Sequence, residues 1–277
     1  MHSIKDIRGN IADFEKKLKL RNSDVKIIAI QDLDKRNRDL IQKKEGLEQE
    51  KKIISKTKDA SLFEKSKELS KEIDKIHQEQ ILVQKNLDEI LNKLPNIALD
   101  DVPVGKDEKS NKIISENGMI KKFTFKPKSH YDLGKSLGMI DFELASRTSG
   151  SRFVFLRGAI ALLERAISNL MIDIHTQNFN YIEISPPLMA SVSTMYGTGQ
   201  LPKFEEDQFE VKLEKASDRK FLIPTAEVIL TNMVREKVLS FKDLPIRLVA
   251  STVCFRKEAG SYGKDTKGMM RQHQFYK

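Results

Sequence analysis

The residue types best suited to chemistry cluster in the stretch TVCFRKEAGSYGKDTKGMMRQHQFYK, residues 252–277. Apolar and β-branched residues at its ends, with glycines between them, predict a strand, a loop and a returning strand. Side chains two apart on a strand share a face, so Arg256 projects with Glu258, and Arg271 with His273 and Phe275. If the two faces coincide across the hairpin, one surface offers two guanidiniums, a carboxylate and an aromatic ring. Guanidiniums suit phosphate oxygens, a carboxylate can accept from an exocyclic amine, and a ring can stack on a purine, which together are the requirements of ATP. The intervening loop, with Gly260, Gly263, Gly268, Lys264 and Lys267, reads as a mobile basic segment able to follow a nucleic-acid backbone. An ordinary surface hairpin laced with ion pairs would carry the same residue types, and residue chemistry alone leaves the two readings level. Lys257 alternates onto the opposite face, where a solvated lysine is expected, and neither it nor His273 is assigned a catalytic role.

A second group sits in IPTAEV, where a strand turns into a helix. Glu227 is a carboxylate suited to a substrate ammonium; equally, it is an acidic residue favoured by the first turn of a helix, with Thr225 as the cap.

These residues need a scaffold, and the composition implies two parts. At 277 residues the chain exceeds the usual single domain. Its charged fraction of 32% is high and its apolar fraction of 39% low, so a good part must be solvated helix. The formal charge of +9 favours a polyanionic partner without proving one. Cys254 is the single cysteine, which excludes an internal disulfide or a multi-cysteine zinc site and fits a reducing cytoplasm. The histidines are too scattered to propose a metal site. No stretch approaches the roughly 18 uninterrupted apolar residues of a membrane span. No G-x-G-x-x-G or Walker loop is present, which argues against Rossmann and P-loop nucleotide sites.

No proline precedes Pro95, and only Gly9 and Gly46 interrupt the residues before it, whereas every other proline and glycine follows. That break predicts a domain boundary. Residues 4–20 read as a short helix, and Asn22, Ser23 or Asp24 can cap a second one beginning near Val25. Leu33, Leu40, Leu47 and Ile54 then recur every seventh residue, although the alternate positions Asn37, Lys44 and Lys51 are polar. After Lys58–Ser61 a stronger seam runs Leu62, Ser66, Leu69, Ile73, Ile76, Gln80 and onward to Leu94. Two such helices joined by a turn of a few residues must fold back antiparallel, as an arm on the order of 45–50 Å long. By itself this arm reads most simply as a dimerising or spacing coiled coil.

Residues 96–120 read as a linker with a short strand. Beyond it, strands are expected at 152–156, 181–185, 209–213, 220–223, 246–255 and 269–277, with helices at 158–177 and 226–237. Strands joined mostly by loops indicate an α+β fold with an antiparallel sheet flanked by helices.

FRKE, the Gly-rich basic loop and RQHQF together resemble motif 2 of class II aminoacyl-tRNA synthetases, in the form found in seryl-tRNA synthetases. SGSRFVFLRGAIALLERA, YIEISPPL (similar to motif 1, with Pro187 at its end), YGTGQLPKF and IPTAEV resemble the same family in the same order, and the likeness spans the whole chain. The resemblance implies a tRNA-binding coiled-coil arm over residues 1–105 and a partial class II catalytic domain over 106–277. It implies a homodimer in which the arm grips the long variable arm of serine tRNA, and it turns the reading of the arm from spacer to tRNA contact. By match to the motifs, Arg256 is expected on the ATP α-phosphate, Glu258 on adenine, Phe275 stacked on adenine and Arg271 at the terminal phosphates. Thr225, the backbone of Ala226, and Glu227 are expected to line a serine site. The implied reaction is attack of the serine carboxylate on the α-phosphorus of Mg2+-bound ATP, then transfer of serine to the terminal adenosine of the tRNA. In that family an acidic substrate-binding residue follows motif 2 closely and motif 3, with its phosphate-clamping arginine, comes much later. Neither lies within residues 1–277, so the catalytic sheet is expected to be incomplete at its C-terminal side and the chain alone inactive or nearly so. A class II paralogue that charges no tRNA, or a non-catalytic RNA-binding protein, would also fit that gap.

Overall fold

The computed structural model describes residues 2–23, 25–57, 60–215, 218–258 and 268–277. They form two compact units, 1–118 and 119–277.

The first unit is helical. Helices α1 (Ile4–Gly9) and α2 (Ile11–Leu20) divide the expected single helix at Asn10, whose side chain leaves helical geometry to accept from the Asp13 amide at 3.4 Å. Helix α3 (Ile27–Thr57) starts at Ile27 rather than near Val25; of the expected caps, Asp24 lies outside the described residues. A short 3-10 turn (Ala60–Leu62) then leads into α4 (Phe63–Leu91). Leu69, Ile76, Val83 and Leu87 are buried at the heptad positions read from the sequence. At the base of the arm Ile7 and Leu18 close over Ile27, Ile30, Leu87 and Leu91, so the short helices cap the coiled coil.

Ion pairs Arg36–Glu79 (2.7 Å), Lys43–Glu72 (2.9 Å) and Lys65–Glu50 (2.8 Å) cross between the helices. Each heptad forward on α3 meets one heptad back on α4, so one antiparallel register satisfies all three. Exposed pairs of this kind add little stability but select among alignments. Two of the polar seam positions, Asn37 and Lys44, are paired as well. Asn37, buried, donates to Gln84 (2.8 Å) and accepts from Gln80 (3.0 Å), and the Lys44 Nζ lies 3.3 Å from His77 Nδ1. Asp34 is buried against the Arg8 guanidinium in a two-pronged contact of 2.7 and 2.9 Å, with Arg38 at 3.3 Å. The linker that follows α4 holds a 3-10 turn (Glu108–Ser110) and, among its described residues, no strand.

In the second unit α5 (His130–Ser136), β1 (Ile140–Asp141), α6 (Phe142–Ser149) and β2 (Phe155–Leu156) precede the long helix α7 (Gly158–Phe179). Then come β3 (Ile182–Glu183), β4 (Met189–Ser191), α8 (Val192–Gly197), β5 (Glu210–Val211) and β6 (Lys220–Leu222). Helix α9 (Glu227–Asn232), β7 (Leu248–Val249), β8 (Val253–Phe255) and β9 (Gln274–Tyr276) complete the unit.

Strands pair antiparallel as β1–β2, β4–β6–β5 and β8–β9, whereas β3 and β7 pair in parallel. A parallel pair needs a long crossover, here everything from β4 to α9, which is why it escaped a strand-by-strand reading. The strand expected over 246–255 is accordingly two, each with its own partner. The helix expected over 226–237 ends at Asn232. Ala190, Met195, Leu201, Phe221, Ile223 and Val228 form the core between the three-stranded sheet and α8 and α9. By contrast α7 has no buried residue and exposes Leu162, Leu163, Ile167, Leu170, Met171 and Ile174. Among the described residues no helix is long and apolar enough to cross a membrane.

Two outcomes test the arm. Leu87→Ala, at a residue 1% exposed, should lower unfolding stability by about 3 kcal/mol in denaturant titrations followed by circular dichroism. Burial pushes the Asp34 carboxyl up, but the Arg8 hydrogen bond and the charges of Arg8 and Arg38 outweigh it and hold the group below the usual carboxylate range. Its stabilisation is therefore full above the unfolded-state value and is lost as pH falls through the lower folded value. Acid titration of helicity should show Asp34→Asn starting less stable at neutral pH and losing less than the parent below about pH 4.

Candidate functional site

The register of the last hairpin decides which side chains meet. Cys254 lies opposite Phe275 and Phe255 opposite Gln274, and the Arg256 amide donates to the His273 carbonyl at 3.0 Å. Continuing that register sets Glu258 opposite Arg271, and their side chains are joined at 2.9 Å. The even positions of the outgoing strand thus share a face with the odd positions of the return. The Arg256 guanidinium lies over the Phe275 ring at 5.3 Å. Deeper on the same face, Cys254 is fully buried beside the Thr252 hydroxyl. Lys257 is exposed, as its alternation predicts.

Arg256, Glu258, Arg271 and Thr225 wall one cavity of about 320 Å³, with Pro224, Gln208, Asp207, Phe204 and Gln200 on the other sides. The backbone brings these segments together: the Phe255 amide donates to the Ile223 carbonyl (2.9 Å) and the Lys257 amide to the Asp207 carbonyl (3.0 Å). The turn that supplies Phe204, Asp207 and Gln208 is braced by Arg219, which pairs with both Glu205 and Glu210. Those hydrogen bonds hold the guanidinium above its ordinary value, and the Arg219 bond in turn holds Glu210 below the usual carboxylate range. Two cations and two carboxylates, Asp207 and Glu258, therefore surround a space that could take a ligand bearing both phosphates and hydrogen-bond donors.

The other expected residues lie close by but elsewhere. Phe275 meets Arg256 and is not part of the cavity wall. Ala226 and Glu227 line an adjoining, more apolar groove of about 510 Å³ that reaches Leu248, Val249 and Lys277, and Thr225 borders both spaces. The Glu227 amide points to the Thr225 hydroxyl at 3.4 Å, but the N-cap position of α9 is Ala226, with no side-chain cap, so Thr225 stands one residue before the expected capping position. Of the basic loop only Gly268 is described; Gly260, Gly263, Lys264 and Lys267 lie outside the described residues.

Other residues position the hairpin, and of these only His273 shows in the strand alternation. His130, on α5, accepts from the Met269 amide at 2.9 Å and so holds the turn that leads into β9. Arg152 contacts both strands of the hairpin, and His273 is packed between Phe153 and Phe209 with its Nδ1 2.9 Å from the Arg256 carbonyl. Arg152 belongs to SGSRF, and Gln200 and Phe204 to YGTGQLPKF. Both segments carry the family resemblance, but nothing in their spacing identifies a role.

The chain matches two family models, the seryl-tRNA synthetase N-terminal domain over residues 1–98 and the tRNA synthetase class II core domain (G, H, P, S and T) over residues 209–277. It is 60% identical over its whole length to the serine–tRNA ligase of Pelagibacter ubique, of which it spans 66%. It is 43% identical to that of Parvibaculum lavamentivorans, again over the whole chain and 67% of the relative. Among solved structures, the seryl-tRNA synthetase of Pyrococcus horikoshii complexed with ATP superposes with a TM-score of 0.83 at 33% identity, over 100% of this chain and 68% of that one. The cytoplasmic serine–tRNA ligase of Naegleria fowleri in complex with AMP gives 0.77 at 29% identity, over 95% of this chain and 61% of that one. The chain thus spans about two thirds of the length of the relatives it matches.

Gly268 offers a test of the hairpin's seating. Its φ is +79°, and a Cβ there would stand 2.4 Å from His130 Nε2 and 2.8 Å from the Tyr131 ring. Gly268→Ala should lower stability by about 1–2 kcal/mol through the left-handed backbone and the displaced imidazole, measured by thermal unfolding. The protection of the Met269 amide against hydrogen exchange should fall with it.

Proposed function

We propose, for a chain that belongs to the seryl-tRNA synthetase family, that its second unit binds ATP and serine to form seryl-adenylate and that its helical arm holds serine tRNA. The observation that carries this reading is the convergence of Arg256, Glu258, Arg271 and Thr225 on one cavity. The ATP and AMP of the Pyrococcus and Naegleria proteins are ligands of those proteins; transferred to this chain, they favour a nucleotide in that space.

In this reading Arg256 binds the α-phosphate, Arg271 the terminal phosphates, and Glu258 accepts from the adenine amine. The Arg256 guanidinium now covers the Phe275 ring. Drawing it onto a phosphate would uncover that ring for the base, so one movement would serve both contacts. Thr225, the Ala226 backbone and Glu227 receive serine, with the Glu227 carboxylate against its ammonium. Because Thr225 borders both spaces, serine on that side would lie next to the phosphates. A serine carboxylate oxygen then bonds to the α-phosphorus as the bond to pyrophosphate breaks. A hydroxyl of the tRNA's terminal adenosine next takes the seryl group and releases AMP. No enzyme nucleophile is needed: positioning and fixed positive charge at the developing phosphate charge supply the rate. Mg2+ enters with ATP as part of the substrate.

For the arm, the matching N-terminal family and the chain's excess of basic residues support a tRNA contact. The exposed apolar face of α7 supports a homodimer, since a run of that kind is commonly covered by a partner. The single, buried, free cysteine accords with a cytoplasmic setting.

Serine-dependent ATP–pyrophosphate exchange by the protein in its full length is the direct test. Arg256→Ala should reduce the rate by on the order of 10²-fold, about 3 kcal/mol, the usual loss for one preorganised donor. A rate within about twofold of the parent would remove Arg256 from the site.

A further inference from the structure

Glu258 is held in a conformation its residue type disfavours. Its φ is +50°, in the left-handed region, yet its side chain stays on the cavity face, 16% exposed and paired with Arg271. A non-glycine residue keeps such a backbone only where its surroundings over-determine it. Those surroundings converge on Arg152. The Arg152 guanidinium donates to the Glu258 carbonyl and, at 3.4 Å, to the Lys257 carbonyl, two acceptors just past the end of β8. Its own carbonyl accepts from the His273 amide at 2.9 Å on the return strand. Arg152 itself has a φ of +64°, following Gly150 at +98°, so the turn before β2 is shaped to deliver both its carbonyl and its side chain to the hairpin. One residue thus grips both strands at the level of the cavity without lining it.

We infer that Arg152 is a positioning residue that fixes the direction of the Glu258 carboxylate, and through it the preference for a purine bearing a 6-amino group. The inference rests on the nucleotide reading of the cavity proposed above. A charged donor holds a backbone turn more firmly than a neutral one; here Nη1 alone reaches both carbonyls, and a lysine can supply the charge but not the guanidinium's rigid, planar placement of that nitrogen. Removing the grip leaves every cavity-lining side chain in place and frees the Glu258 peptide to rotate.

The test is equilibrium binding of ATP and of purine riboside triphosphate, which lacks the 6-amine, to the whole chain. The parent should prefer ATP. Arg152→Ala should weaken ATP about tenfold, the scale of one charge-assisted hydrogen bond, and the analogue less than about twofold, with Arg152→Lys between the parent and Arg152→Ala. In a Glu258→Ala background, which has no acceptor for the 6-amine, Arg152→Ala should weaken ATP by no more than about twofold further, because the two residues act in series. A parent that binds neither nucleotide saturably would overturn the nucleotide reading and this inference with it. A parent that binds both equally, or an Arg152→Ala that loses both equally or neither, would overturn the positioning role alone.

Discussion

The registration of the two strands at the end of the chain is the constraint on which the site depends. With Cys254 opposite Phe275, alternation sends Arg256, Glu258, Arg271 and Phe275 to one side. A slip of one residue on either strand would separate the guanidiniums from the carboxylate and ring that complete the set. Short strands specify register weakly on their own, and this pair is three residues each. Neighbouring contacts supply the rest: Ile223 and Asp207 take amides from the outgoing strand, while Arg152 holds the return strand and His130 the turn that leads into it. The second unit is organised less around a single large sheet than around anchoring this hairpin from several sides.

The arm solves the same problem of alignment by other means. Its apolar seam is stronger on α4 than on α3, and an apolar seam alone tolerates sliding by a heptad. The crossed ion pairs and the buried Asn37–Gln80–Gln84 group oppose such a slide, because a shifted register would strand amides inside the seam. Both units therefore spend polar groups on registration and leave most of the stabilisation to apolar burial.

Much of this was legible beforehand. Heptad spacing located the arm, its seam and its reversal, since a coiled coil is a local, periodic signal. Strand alternation correctly gathered Arg256, Glu258, Arg271 and Phe275 on one face for the same reason. What escaped was non-local. The parallel pairing of β3 with β7 depends on segments brought together across the whole unit, and the break at Asn10 reflects a side chain choosing a cap over helix continuation. Phe275 was expected in one nucleotide space with the two arginines and Glu258 but sits beside the cavity, because alternation gives a face and not a depth. Arg152 and His130 act through backbone atoms of distant residues, and residue spacing carries no trace of such contacts.

The burial of Cys254 has a practical consequence. The chain's one sulfhydryl lies in the middle of β8, with no exposed surface, on the face that carries the charged groups but deeper than they are. An alkylating reagent can reach it only when those strands part from the layer beneath them, so the alkylation rate of this atom reports how often the hairpin opens. The molecule therefore carries an internal clock for the motion of its own candidate site, readable without introducing a cysteine by substitution.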